Sequence, residues 1–313
     1  YGLVRRFVPE ITLDEVNQVA KEWAGGSRVV LVNAPEKPGL AVPDGAKLAT
    51  VIRRASEREI KPYVDATASQ RLIERPPAPG AIVSTTTRDA YGLVEWDLSN
   101  GAKVVLRPTT FKQDEVVFRA ISPGGTSLAR DEDFVAAMTA GQVVGGGGLG
   151  KFDVIQLRNM LSGKAASVTA FIGDTEEGLA GGASPKDLET MFQLIHLSFT
   201  QPRADATVFG VLTSQMKAML ANQEASPELA FRRTLDATLA QDHPRARPLT
   251  PAMVDEMSLQ KSFAFYKDRF ADASDFTFVF TGSFELASMK PLVEQYLASL
   301  PSLKRRETWR DVG

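Results

Sequence analysis

The stretch Tyr91-Gly-Leu-Val-Glu-Trp-Asp-Leu-Ser-Asn-Gly-Ala-Lys-Val-Val-Leu-Arg-Pro108 constrains the fold more than any other part of the chain. Its Asn100-Gly101 pair supplies the positive backbone angles that a tight hairpin demands. Alternation of apolar and polar residues on both sides predicts two paired antiparallel strands. Glu115 to Ile121 alternates likewise and predicts a third strand. After a Gly124-Gly125 turn the spacing predicts an acid-led helix from Arg130 to Val144, and beyond its first turn this helix has no histidine, cysteine or carboxylate.

The elements downstream complete a fold class. Asp153 to Leu161 reads as a helix with Asp153 as N-cap and Gly163 as its stop. Lys164 to Gly173 and Gly178 to Ala183 read as strands, and four helices follow. Ser184-Pro185, Ser226-Pro227 and Thr250-Pro251 each set a capping hydroxyl before a proline, whose missing N–H costs nothing in a first turn. Asp275 to Thr281 reads as a further strand and Phe284 to Leu300 as an amphipathic helix. Strands at both ends, with hairpins and stacked helices between, indicate an α+β two-layer sandwich: a mostly antiparallel sheet covered on one face by helices. A doubly wound parallel sheet would need regular strand-helix alternation, which this order lacks.

Upstream, Thr12 and Glu15 form a capping box on a short helix bearing Val16, Val19, Ala20 and Trp23. Arg28 to Asn33 reads as a buried strand and Pro43 to Ile60 as a helix. One helix-strand-helix is too little to close a sheet, so residues 1–70 read as the tail of a preceding domain. The run Arg75-Pro-Pro-Ala-Pro-Gly-Ala81 makes residues 71–90 a proline-rich, semi-rigid linker. Residues 91–301 form the α+β domain, and 302–313 lead out of it as a second linker. A start at Tyr1 without methionine or signal sequence, and a stop at Gly313, suggest a piece of a longer protein.

Composition excludes more than it assigns. With 36 basic and 38 acidic residues in 313, the formal charge of -2 gives no electrostatic reason to expect nucleic acid or an anionic membrane as partner. No apolar run approaches the roughly 18 residues needed to span a bilayer. The absence of cysteine excludes disulfides, thiolate zinc sites, iron-sulfur clusters and cysteine nucleophiles.

Each chemical motif has a plainer structural reading beside it. Gly145-Gly-Gly-Gly-Leu-Gly150 matches the G-x-G-x-x-G phosphate pattern, but that mechanism needs a strand before the glycines, and here a helix precedes them. The run reads instead as a flexible connector, with Gly145, Gly146, Gly147, Gly148 and Gly150 as a loop that could face a substrate. His196 sits among apolar residues in Met191-Phe-Gln-Leu-Ile-His-Leu-Ser-Phe, which suits packing. His243 lies in Gln-Asp-His-Pro at a helix end, where its charge would complement the dipole. Asp131-Glu132-Asp133 reads as dipole stabilisation, and no serine lies in a Gly-x-Ser-x-Gly elbow.

Taken in order, Leu98-Ser-Asn-Gly-Ala-Lys-Val-Val-Leu, Phe118-Arg-Ala, Pro123-Gly-Gly-Thr-Ser-Leu, Gly163-Lys-Ala-Ala-Ser-Val, Ser184-Pro-Lys-Asp-Leu-Glu-Thr, Gln201-Pro-Arg, Asp242-His-Pro-Arg, Phe276-Thr-Phe-Val-Phe-Thr-Gly and Tyr296-Leu-Ala-Ser-Leu-Pro resemble a domain of the pitrilysin/insulinase family of zinc metallopeptidases. The resemblance covers about residues 91 to 301 and implies the fold of the mitochondrial processing peptidase. Active domains of that family hold zinc with an inverted His-x-x-Glu-His helix and a distant glutamate. Here the motif would fall on Met138-Thr-Ala-Gly-Gln142, with Met138, Gly141 and Gln142 at degenerate positions, and the distant acid near Ala218-Met219. The resemblance therefore implies the first domain of a second, non-zinc-binding half, with no cofactor of its own and zinc held elsewhere in the parent protein. Its expected partners are the zinc-bearing half of the same chain or a homologous subunit, and a peptide substrate, with no nucleic acid and no membrane insertion. Exported relatives imply a periplasmic location. A structural or assembly subunit with a degenerate peptidase fold is the alternative.

Overall fold

The computed structural model describes residues 2–25, 29–33, 39, 41–61, 67, 70–223 and 226–313. The chain divides into two units, Tyr1–Val64 and Asp65–Gly313. In the first unit lie helices α1 (Gly2–Phe7), α2 (Leu13–Gly25) and α3 (Gly45–Glu57). The expected capping box is present, and a second cap stands at Asp44. The Thr12 N–H donates to Glu15 Oε2 at 2.7 Å while the Glu15 N–H donates to Thr12 Oγ1 at 3.3 Å, and Asp44 accepts from the Lys47 N–H at 2.8 Å. The strand expected at 28–33 is corrected: Arg28 lies outside the described residues, and Val29–Asn33 form no strand and are exposed. A strand needs a neighbour to satisfy its backbone, and the described residues of this unit contain no other strand.

The second unit is built on a seven-stranded sheet in the order β1-β2-β3-β7-β4-β6-β5. The strands are β1 (Ile82–Arg88), β2 (Leu93–Leu98), β3 (Lys103–Pro108), β4 (Val116–Pro123), β5 (Ala166–Ile172), β6 (Glu176–Ala183) and β7 (Thr277–Gly282). Every pairing is antiparallel except β3 with β7, where Val104 sits beside Phe278 and Leu106 beside Phe280. The Asn100-Gly101 turn joins β2 to β3 with Gly101 at φ 98°. Asn100 contributes a second function, since its Nδ2 donates to the carbonyls of Leu297 and Leu300 at 2.8 and 3.2 Å and so ties the turn to the chain's last helix.

The stretch read as a linker carries β1, which pairs along the whole of β2. Its sequence Ile-Val-Ser-Thr-Thr-Thr-Arg is nearly all polar and exposed, which is why apolar alternation does not reveal it. Such composition suits an edge strand.

Helices cover one face only. They are α4 (Phe134–Gly147), α5 (Val154–Met160), α6 (Leu188–Thr200), α7 (Ala206–Gln223), α8 (Pro227–Leu239), α9 (Pro251–Asp255), α10 (Leu259–Arg269) and α11 (Leu286–Leu292). Under them Phe280 stacks on Phe118 and Phe192, with ring centroids 5.1 and 5.2 Å apart, beside buried Trp96, Leu106, Leu179, Ile195 and Tyr296. A second cluster of Phe134, Val143, Leu220, Met253 and Met257 holds α4, α7 and α9 together. On the other face Glu95, Asp97, Lys103 and Arg107 meet solvent beside half-covered Val105 and Val279, as the alternation of each strand requires.

The helices differ from the sequence reading in number, in one start and in one end. Five helices, counting the short α9, lie between β6 and β7 among the described residues, where four were expected. Ser226 and Thr250 cap as read, accepting from the N–H groups of Leu229 and Met253, but Ser184 donates to Asp187 Oδ2 at 2.7 Å instead. That bond, with one from the Ala165 N–H, holds the Asp187 carboxyl below its ordinary range. The last helix carries Pro291 inside it, and Val293–Leu297 continue it as a π turn that ends short of Leu300.

Candidate functional site

The helix that carries the expected motif positions is α4. Its inner side is made of small and medium apolar residues, with Ala136, Ala137, Ala140 and Val144 all buried. Small residues let α10 approach closely, and Thr139 on α4 lies 3.5 Å from Ser262 on α10, oxygen to oxygen. Met138 and Gln142, one turn apart, point outward, and Met138 is 38% exposed. Gly141 faces the end of β5, where an added Cβ would lie 3.3 Å from the Ala170 carbonyl oxygen. On α7, which packs along α4, Met219 is exposed.

Zinc needs imidazole, carboxylate or thiolate donors. Met138 supplies a thioether, Gln142 an amide and Gly141 no side chain, so these positions do not fit the metal. Among the described residues no group of three or more histidine, aspartate or glutamate side chains is placed to hold an ion.

Strand β5 forms one edge of the sheet beside this face. The Ser184 N–H donates to the Ala165 carbonyl at 2.8 Å and the Gly173 N–H to the Glu176 carbonyl at 2.8 Å, which fixes the odd-numbered residues of β5 as those bonded to β6. The N–H and C=O groups of Ala166, Val168, Ala170 and Ile172 therefore point away from the sheet, toward the side that α4 flanks. A row of outward backbone donors and acceptors is a template for an added strand.

The glycine run is not a flexible connector. Gly145, Gly146 and Gly147 are the last turn of α4, and Gly148 turns the chain with φ 87°. A Cβ at Gly147 would fall 2.5 Å from the Arg203 carbonyl oxygen, and one at Gly148 would fall 2.2 Å from that of Phe152. Close backbone approach, rather than freedom, is what these two positions require. Arg203 Nε donates to the Gly147 carbonyl at 3.0 Å, and the Gly150 N–H donates to the Gln201 carbonyl at 2.9 Å. A nucleotide phosphate has no seat here, since the glycines close the negative end of a helix dipole and their neighbours are already bonded. Gly145 alone has open space around it, on the same face as Met138 and Gln142.

The two histidines do not converge on a common partner. His196 is buried on α6, and its Nδ1 donates to the Tyr296 carbonyl at 3.0 Å. Burial holds this imidazole below its ordinary pKa, with the carbonyl bond opposing. His243 is bonded through both ring nitrogens. Its Nδ1 accepts from the Arg245 N–H at 3.2 Å, capping the short turn Pro244–Ala246, while Nε2 donates to the Val312 carbonyl at 2.9 Å. The acidic triplet is engaged in ion pairs. Asp131 meets Arg245, Glu132 meets Arg130, and Asp133 meets both Arg130 and Lys261.

Sequence reasoning missed the open edge of β5 and a buried charge cluster around Glu177 and Arg269. Neither has a motif. The edge depends on which strand ends the sheet, and the cluster assembles residues from positions 125 to 307.

No family model matches the chain. A probable zinc protease PqqL of Haemophilus influenzae is 24% identical over 314 residues, covering 96% of this chain and 32% of the relative. The chain thus spans about a third of the length of the curated relatives it matches. Among solved structures, the periplasmic protease PqqL of Escherichia coli superposes with a TM-score of 0.69 at 18% identity, over 86% of this chain and 30% of that one. An inactive peptidase M16 domain from Pseudomonas fluorescens superposes with a TM-score of 0.54 at 17% identity, over 70% of this chain and 54% of that one.

Proposed function

Because the chain belongs to the pitrilysin/insulinase family of zinc metallopeptidases, we propose that it is a non-catalytic part of such an enzyme, which holds extended peptide while a zinc site in another domain cuts it. The observation that carries this reading is the pairing of an open edge strand with a helix face bearing Met138, Gly141 and Gln142. We read these three as the degenerate positions of the metal-binding motif. The edge of β5 offers main-chain bonds that suit many sequences, and the soft, uncharged face of α4 beside it leaves nothing to activate water.

In this reading residues 65–313 begin a second half, and 1–64 end the half that precedes it. The zinc-bearing half, on the same polypeptide or on a homologous subunit, is the partner. The family relative in Escherichia coli is periplasmic, and we propose the same compartment for this chain. Among the described residues no helix is long and apolar enough to cross a membrane.

Mixing the chain with a separately made zinc-bearing half tests the reading. Restored cleavage of an extended peptide supports it. Association without cleavage indicates the scaffold role that a degenerate peptidase fold could equally fill.

A further inference from the structure

Residues 302–313, read from sequence as a linker, are bonded along their length to the domain they leave. The N–H groups of Leu303 and Arg305 donate to the two oxygens of Asp272 at 2.9 and 2.6 Å. Glu307 receives both terminal nitrogens of Arg269, at 2.8 and 3.2 Å, and Arg305 reaches Asp268. Farther on, the Arg310 N–H donates to Ser127 Oγ at 2.9 Å and the Val312 carbonyl accepts from His243.

The anchor of this strap is Arg269, whose side chain is almost fully buried. Behind it lies Glu177 of β6, 1% exposed. Glu177 Oε2 accepts from the Gly125 N–H at 2.5 Å, but Oε1 has no hydrogen-bond partner and sits 3.9 Å from Arg269 Nη1. Arg269 Nη1, the guanidinium nitrogen facing Glu177, already donates to Glu307, so two carboxylates draw on one positive charge, and the buried Arg269 Nε has no hydrogen-bond partner. Around them stand Asp268 on α10, Asp272 and Asp275 on the approach to β7, and Arg305 on the strap. Glu177, Glu307 and Asp268 thus share the Arg269 and Arg305 guanidinium groups, while Asp272 is held by backbone N–H groups of the strap.

We propose that residues 302–313 form a proton-sensitive strap, in which Glu177 and Glu307 compete for the one Arg269 guanidinium, so that protonated Glu177 seats the strap and ionised Glu177 loosens it. Burial pushes Glu177 up to about 7, outweighing its bond from Gly125 and the charge of Arg269. Asp275, raised by burial and by neighbouring Asp272, lies at about 6. The sign follows from linkage. An acid that holds its proton better in the seated state favours seating at low pH, and that advantage is lost as pH rises through about 7. The inference stands on the geometry of the strap and does not require the proposed peptide-holding role.

Hydrogen exchange of the intact chain reads the strap directly, at the Leu303, Arg305 and Arg310 amides after correction for the chemical exchange rate. The corrected opening is expected to rise several-fold between pH 6 and pH 8, with a ceiling of about tenfold per pH unit for one linked proton. Glu177→Gln is expected to keep the strap slow at both pH values, and Glu307→Gln to make it fast at both. Corrected exchange that is equal at pH 6 and pH 8 in the unmodified chain overturns the proposal. So does a Glu177→Gln variant that keeps the full rise, or a Glu307→Gln variant with an unaltered strap. Should Glu177→Gln fail to fold, the unmodified chain's own profile decides.

Discussion

Helices α4 and α6 lie on the same face of one sheet and are both rich in apolar residues, yet they put their polar groups to opposite use. Of the two, α6 is buried almost all round and carries the histidine, which it spends on the carbonyl of Tyr296. By contrast, α4 turns Met138 and Gln142 outward. A histidine in the chain is thus no sign of a metal site; its helix decides what it can reach.

The comparison can be broken at several points, and the largest effect is expected beneath α6. Phe280→Ala removes a ring stacked on Phe192 and Phe118, and should lower unfolding free energy in urea by about 3–5 kcal/mol. A loss below about 1 kcal/mol would mean that α6 does not depend on this core. Next, His196→Ala leaves the Tyr296 carbonyl without its donor and should cost about 2 kcal/mol, whereas Met138→Ala, on the outward side of α4, should cost less than about 0.5 kcal/mol. Equal costs would erase the distinction between the helices.

On the α4 side, Val168→Pro removes one outward N–H of the β5 edge while sparing the bonds to β6. Peptide affinity, measured by fluorescence anisotropy, should fall about tenfold with the fold retained, the value of one lost main-chain bond plus the ring's obstruction. Unchanged affinity would place peptide elsewhere. The smallest effect is a pH term from α6. Because the folded His196 pKa lies below its ordinary 6.5, the native state takes up fewer protons there than the unfolded chain. Its stability contribution is therefore full above about 6.5 and is lost as pH falls toward the lowered value. The difference in urea midpoint between His196→Gln and the unmodified chain should narrow as pH falls from 7 to 5; a constant difference would contradict it.

Local structure was legible wherever a short motif carries its own geometry. The Asn100-Gly101 hairpin, the Thr12–Glu15 capping box and the Asp153 cap, which accepts from the Ile155 and Gln156 N–H groups, all follow from neighbours in sequence. The parallel pairing of β3 with β7 joins residues more than 170 positions apart, and no local pattern specifies it. Strand β1 escaped because its threonines lack an apolar period, and Val29–Asn33 misled because apolar content resembles a strand even where the described residues of its unit hold no partner strand. At the candidate site, the outward positions of Met138 and Gln142 follow from helical spacing. The β5 edge does not, since being an edge is a property of the completed sheet. The glycines of 145–150 misled for a related reason: their composition is that of a flexible loop, and only the carbonyls of Arg203 and Phe152 show why side chains are excluded.

The central proposal is that α4 presents a face without zinc ligands and that zinc is held by another domain. Metal analysis of the purified chain after equilibration with zinc and removal of the excess tests it most directly. The expected result is no stoichiometric zinc and, in the same preparation, no peptide cleavage. One tightly held zinc per chain, lost on His196→Ala or His243→Ala, would contradict it.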